Sequence, residues 1–298
     1  MKYLLLLVLF VCFSCIEPNV KDMLGDDFRL YKHTPAWSLA KAVEDEDTTE
    51  ISKQVLQMHI PVDYRDPKYK QTLLMLATST NKIESVEKLL ELGANPNAHD
   101  DSTKYFGESA VLSACRFTGP SSKILALLLK YGGDPNSTAC GVQEDGLGDI
   151  VPRREFALSA AVFSSFEKVK LLVDAGANIN YETTTESCAI ENCMIHGRMD
   201  IMLYLLLKGA DYRRKFTEID SDKPDYPTFE VDILYKLRKC VYPIGSKAYK
   251  EKMKVVYFLK RKGLDYWKSP IPIGMYGVIM REIAPKNKAA FDYYIKHY

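Results

Sequence analysis

The chain has 298 residues, 47% apolar and 27% charged, an ordinary composition for a folded protein of one or two compact domains. With only 16 Gly and 14 Pro it is neither collagen-like nor low-complexity, and a core of this size needs no disulfide or metal to hold it. Net charge is +1, but residues 1–211 hold 21 Lys and Arg against 29 Asp and Glu, while residues 212–298 hold 19 against 10; that split disfavours a uniformly basic nucleic-acid binder.

Met1-Lys2-Tyr3 is a short, positively charged start, followed by an unbroken apolar run from Leu4 to Phe13. As a helix the run rises about 15 Å, half of a roughly 30 Å hydrocarbon core. It is too short for a membrane span and suits a secretory signal peptide, residues 1–14. Ser14-Cys15 resembles the lipobox of bacterial lipoproteins, with Cys12 and Phe13 departing from the usual aliphatic and small residues. The resemblance implies diacylglycerol on Cys15, membrane attachment through it, and a chain facing the periplasm or cell surface. Without the lipid the segment is an ordinary signal peptide. Residues 15–33 then read as a tether. Five cysteines remain beyond it (Cys115, Cys140, Cys188, Cys193 and Cys240), an odd number at irregular spacing and so no disulfide framework.

Internal repetition dominates the chain beyond residue 33. Leucine-rich helix ends close on Gly93-Ala94-Asn95, Gly132-Gly133-Asp134, Gly176-Ala177-Asn178, Gly209-Ala210-Asp211 and, diverged, Gly263-Leu264-Asp265. Glycine at these ends permits the left-handed cap, and Asn or Asp suits the turn that leaves the helix. Upstream sit shorter helices: Thr72-Leu73-Leu74-Met75-Leu76-Ala77, Ser109-Ala110-Val111-Leu112-Ser113-Ala114 and Phe156-Ala157-Leu158-Ser159-Ala160-Ala161. Their Thr or Ser can cap the helix, and the small Ala positions let neighbouring helices approach.

Paired in register, these motifs resemble ankyrin repeats. The resemblance implies an all-α solenoid of about six helix-turn-helix repeats over residues 34–268, and a non-enzymatic binder that holds another protein with turn tips and first-helix faces. By position the partner-binding residues would be Asp66, Lys68, Tyr69 and Lys70, His99 to Lys104, Asn180 to Thr184 with Tyr181 among them, and Arg153 with Arg154. Against a unit of about 33 residues, the glycine spacing leaves inserts at Asp100–Gly107, Thr138–Arg154 and Tyr212–Glu230. A first repeat opens at Thr34-Pro35, with Trp37 and Leu39 on its first helix, and runs through a second helix at about Glu50 to Met58. Residues 269–298 form a C-terminal cap, with Phe291, Tyr294 and Ile295 at helical spacing.

Cys188, Cys193 and His196 are the one cluster that looks like a metal or thiol site. The repeat register argues against it: Cys193 falls on a buried first-helix Ala position, and five residues of helix set the two cysteines roughly 140° apart. Cys115 reads as core; Cys140 lies in the second insert. Glu44-Asp45-Glu46-Asp47 reads as a solvated turn whose charge favours the next helix N-terminus. Phosphate loops, Gly-x-Ser-x-Gly elbows and His-Glu-x-x-His helices do not occur, so no catalysis, cofactor, metal or small-molecule substrate is expected. The basic, tyrosine-rich stretch 236–268 is either a plain solvated face or a surface for an anionic lipid or acidic protein; export disfavours nucleic acid. The chain is thus read as an envelope scaffold for a protein partner, with an immunity protein against a secreted toxin as the alternative and an enzyme sited in the inserts as a third, weaker reading.

Overall fold

A computed structural model describes residues 23–116, 119–144, 148–183, 188–220, 225, 227–283 and 288–298. The signal peptide, Cys15, residues 16–22, Thr184 and the turn residues 145–147 of the second insert lie outside them.

Six helix pairs succeed one another: α1 (Trp37–Glu44) and α2 (Thr48–Leu56); α3 (Leu73–Ser79) and α4 (Ile83–Glu91); α5 (Ala110–Cys115) and α6 (Ser122–Lys130); α7 (Ala157–Ser164) and α8 (Phe166–Asp174); α9 (Ala189–Ile195) and α10 (Met199–Leu207); α11 (Ile233–Lys239) and α12 (Lys247–Arg261). Their ends are set by the sequence. The Thr72 and Ser109 hydroxyls accept from the backbone N–H of Met75 and Leu112, satisfying donors that a bare helix start leaves open. Asp47 does the same for α2, accepting from Thr49 and Glu50. The five closing glycines stand at φ between +87° and +104°, where a side chain would be strained.

The first helices α1, α3, α5, α7 and α9 pack in one row, and the second helices α2, α4, α6 and α8 in another. Ala77, Ala114, Ala161 and Cys193 are fully buried in the first row, as their register requires. The Asn and Asp after each glycine do more than turn the chain. Asn97 Oδ1 accepts from Asp134 N–H at 2.8 Å, Asn136 Oδ1 from Asn178 N–H at 2.7 Å and Asn180 Oδ1 from Asp211 N–H at 2.8 Å. Four successive repeats, the second to the fifth, are stitched together through this ladder.

Three features correct the sequence reading. Residues 23–33 are no tether: Met23, Phe28, Leu30 and Tyr31 are buried, and the Tyr31 hydroxyl donates to the Gln71 carbonyl at 2.8 Å. Scattered charges around these four apolar residues hid a docking segment. The second insert is a hairpin of β1 (Val142–Glu144) and β2 (Ile150–Pro152), with Val142 opposite Pro152. The third is a hairpin of β3 (Phe216–Ile219) and β4 (Thr228–Val231), with Phe216 opposite Val231. Strands of three and four residues are too short to show a period in sequence.

The chain closes with a 3₁₀ turn at Tyr266–Lys268, α13 (Ile273–Val278), a π turn at Ile279–Ile283 and α14 (Lys288–His297). Ile271, Ile279, Tyr294 and Tyr298 form a second small core, with Phe291, Ile295 and Tyr249 packed on it. Beneath it, two supposedly solvated cations are buried. Arg238 donates to the carbonyls of Ser269, Tyr266 and Tyr298. Lys252 donates to the Cys240 carbonyl at 3.0 Å and the Tyr266 hydroxyl at 2.7 Å, with its ammonium group 3.5 Å from the centre of the Tyr298 ring. Burial pulls the Lys252 pKa well below the usual lysine range.

Candidate functional site

The first and second inserts, separate in sequence, form one structure. Cys140 N–H donates to the Gly107 carbonyl at 3.1 Å, Gly141 N–H to Phe106 at 2.9 Å and Val142 N–H to Tyr105 at 3.1 Å. The two backbones lie so close that a Cβ on Gly141 would run into the Tyr105 carbonyl. This pairing fixes Phe106 beside the hairpin and above the first-helix row. Between it and Phe163 of α7 opens a cleft of about 600 Å³, lined also by Arg116, Arg153, Glu155, Ala160 and Ser164. Phe106 and Phe163 are 43% and 49% exposed. They are large apolar walls that the fold itself does not cover.

An ion network floors the cleft. Arg116, at the end of α5, pairs with Glu108 and Glu155; Arg153, just after β2, pairs with Glu155 at 2.5 Å and donates to Gln143 Oε1 at 3.0 Å. Both guanidinium groups face the Phe106 ring, at 5.7 Å and 4.3 Å from its centre, an arrangement that stabilises cation and ring together. The two glutamates titrate in opposite senses. Burial raises both, but two guanidinium groups overcome it at Glu155 and hold that carboxyl below the usual range, while Arg116 and the more distant Arg153 fail to offset it at Glu108. The Nε atom of Arg153 is buried and has no hydrogen-bond partner.

A smaller hollow of about 160 Å³ lies on the other side of Glu108, lined among others by Asp26, Asp100, Gln71 and Ser113. Burial pushes the Asp100 carboxyl up to about 6, against the Glu108 N–H that donates to it. The cleft therefore has apolar walls over a charged floor, and the hollow beside it is acidic.

Sequence-predicted positions fare unequally. Asp66 is fully buried, accepting from the N–H groups of Lys68, Tyr69 and Gln71; it builds its own loop and cannot touch a partner. Lys68 and Tyr69 hold the Met23 carbonyl at 2.7 Å and 3.0 Å, which commits them to the N-terminal segment. Lys70 and Lys104 are exposed at the loop tips. The His99 Nδ1 atom lies 2.7 Å from the Gly107 carbonyl and 3.5 Å from Cys140 Sγ, so it braces the first insert. Arg154 bonds the backbone of Arg153 and Gly141, and Tyr181 stacks edge-on against Phe156 at 5.1 Å. Of the set, only Arg153 lines the cleft. The residues missed are Phe106, Glu108, Arg116, Glu155 and Phe163. An apolar residue inside an otherwise polar insert, Phe106, was the available signal.

Cys188 precedes α9, Cys193 lies within it, and both are buried with thiols pushed up by that burial. His196 is exposed, its ring 4.0 Å from that of Phe163. Among the described residues no group of His, Cys, Asp and Glu is placed to hold a metal, and no helix is long and apolar enough to cross a membrane.

Comparison with known proteins finds likeness in the repeats. Residues 69–101 match the family model for the ankyrin repeat. The crystal structure of EF0377, an ankyrin repeat protein, is similar at 23% identity and a TM-score of 0.46, over 59% of this chain and 82% of that one. No curated protein matches. The matched segment runs from one loop tip through α3 and α4 to the next, and the same loop, short helix and longer helix recur along the array. Residues 69–101 are thus matched as an ankyrin repeat, the described residues form an all-α solenoid of that kind, and such repeats indicate a scaffold for protein–protein interaction.

Proposed function

We propose that the chain is an exported scaffold, held at a bacterial envelope membrane by lipid on Cys15, that captures an extended segment of a partner protein in the cleft between Phe106 and Phe163. The cleft carries this reading: two half-exposed aromatic walls over a charged floor are what a large apolar side chain of an extended segment would occupy. The adjacent hollow of Asp26, Asp100 and Glu108 suits a Lys or Arg beside that anchor. Met23 is buried on the fold and stands eight residues beyond Cys15, so it lies within about 29 Å of the anchor. The first repeat would sit close to the lipid surface.

The test is a library of extended peptides that vary one central residue and its neighbours. The wild type should select a large apolar residue flanked by a basic one. Phe106→Ala with Phe163→Ala should lose that selection by tenfold or more, as removal of an aromatic anchor costs at least ~2 kcal/mol, while keeping the helical content of the wild type and a cooperative, modestly lowered melt. Unselective binding, or equal binding by the variant, would remove the cleft from the site. For the anchor, Cys15→Ala should release the chain into the soluble fraction, and a wild type already soluble would refute it.

A further inference from the structure

The outer face of the last repeat differs from those before it. α12 has 15 residues where each earlier second helix has 9. Lys247, Lys250, Lys254, Tyr257 and Arg261 are exposed along it, at spacings of three and four that confine them to roughly an 80° arc of the helix over about 21 Å. On α4, the second helix of the second repeat, the exposed positions are Glu84, Glu87 and Glu91. Between Ser246 and Lys268 the exposed cations number seven, six of them lysine, against two carboxylates, Glu251 and Asp265. Lys254 pairs with Glu251 at 2.8 Å; among the described residues, Lys247, Lys250 and Arg261 have no ion-pair partner. An exposed aromatic pair belongs to this face: Tyr257 in the stripe and Trp267 beside it lie 6.1 Å apart, with the Lys260 ammonium 5.2 Å from the Trp267 ring centre.

We infer that this face binds an anionic lipid headgroup surface. Three observations choose a membrane over an acidic protein. The cations are nearly all lysine, a hydrated point charge suited to diffuse attraction, whereas protein interfaces favour the forked guanidinium of arginine and are depleted in lysine. Four of them, Lys247, Lys250, Lys254 and Arg261, lie in a straight row that a flat surface can meet along its whole length. Tyr and Trp, apolar bodies with one polar handle, are the side chains that settle at the headgroup level. The stripe lies on second helix α12, away from the first-helix cleft, so this inference does not depend on peptide capture. It does not depend on lipidation of Cys15 either.

The experiment uses the full chain carrying Cys15→Ala, so that no acyl chain contributes. Sedimentation with vesicles of mixed phosphatidylglycerol and phosphatidylcholine is compared with phosphatidylcholine alone. An apolar leader would bind both kinds, so the readout is the ratio between them. That ratio should be large and should collapse as added salt shortens the Debye length from about 10 Å to about 3 Å. Lys247→Gln, Lys250→Gln and Arg261→Gln together should lower it about a hundredfold, at about fivefold per charge near an anionic surface, with an unchanged melting curve. The control Lys70→Gln with Lys104→Gln, at the first-helix loop tips, should leave it as it is. A ratio near one, a ratio untouched by the α12 changes, or binding to soluble polyglutamate in place of vesicles would overturn the proposal.

Discussion

Arg116→Met is the perturbation that most directly tests the ion network under the cleft. Methionine keeps the apolar stem of the arginine and removes the guanidinium that Glu108 and Glu155 share. Glu155 retains Arg153 at 2.5 Å. Glu108 loses its one ion-pair partner, with a side chain only 14% exposed. Deleting one member of a buried pair costs about 3–5 kcal/mol. The low end, about 3 kcal/mol, applies here because the site is partly solvated and Glu108 can escape by taking up a proton. At about 2–4 °C per kcal/mol for an array of this size, the melting midpoint should fall by roughly 6–12 °C at neutral pH.

The pH dependence carries the diagnosis. Burial already holds Glu108 above the usual glutamate range, opposed by Arg116 and Arg153 and assisted by Glu155. Without Arg116 it rises further. The folded state then binds more protons than the unfolded one between the ordinary value of about 4.3 and the raised one. That stabilisation is complete below the ordinary value and is lost as pH rises through the raised one. Thermal unfolding followed by circular dichroism should therefore show the variant's deficit nearly closed in acid and full at neutral pH. Adding Glu108→Gln should recover most of the loss at neutral pH. A variant that melts with the wild type at neutral pH, or a deficit unchanged in acid, would refute the network as the source.

Lys252→Met should remove a pH slope: the buried lysine's pKa is depressed, so its contribution is present above the unfolded value of about 10.4 and lost as pH falls through the folded one, and urea midpoints of wild type and variant should diverge as pH falls below about 10. Asn136→Ala cuts one rung of the inter-repeat ladder, the 2.7 Å bond from Asn178 N–H; the loss should be about 1 kcal/mol in denaturant titration, and none would mean that water replaces the rung. Ala77→Leu overfills the fully buried contact of α3 with its neighbours and should cost about 1–3 kcal/mol with helical content unchanged; an unaltered melting curve would break the assigned register.

The array was legible because its signals are local and repeated. A capping Thr72 or Ser109, a closing glycine and a small residue at Ala77 or Cys193 each answer to a constraint within a few residues of chain, and register then carries them along. The cleft was not legible, because it depends on which insert lies against which. Nothing near Gly107 announces Gly141 as its neighbour, and Phe106 acquires its place only through that pairing. Charge was misread for a related reason. Lys236 looks like surface, yet it is spent on Glu191 at 2.7 Å and Glu218 at 2.6 Å, the latter on the third insert's hairpin. Arg238 and Lys252 lie in a basic run and are buried all the same, held by carbonyls and rings of the last repeat and of the C-terminal cap that folds over it.

The division of labour between two faces reflects how a solenoid is assembled. Each repeat touches only its neighbours, so stability is a sum of near-independent contacts, and an outer face can change sign from Glu84, Glu87 and Glu91 on α4 to Lys247, Lys250 and Lys254 on α12 without refolding anything between. Inserts obey the same rule: loop closure grows only with the logarithm of length, so the paired inserts can roof the first helices while the ladder of Asn97, Asn136 and Asn180 keeps its spacing beneath them. The proposed peptide capture would use first helices and inserts, and the proposed lipid contact a second helix. A partner held beneath Phe106 therefore leaves the α12 stripe uncovered, and both surfaces can be occupied at once.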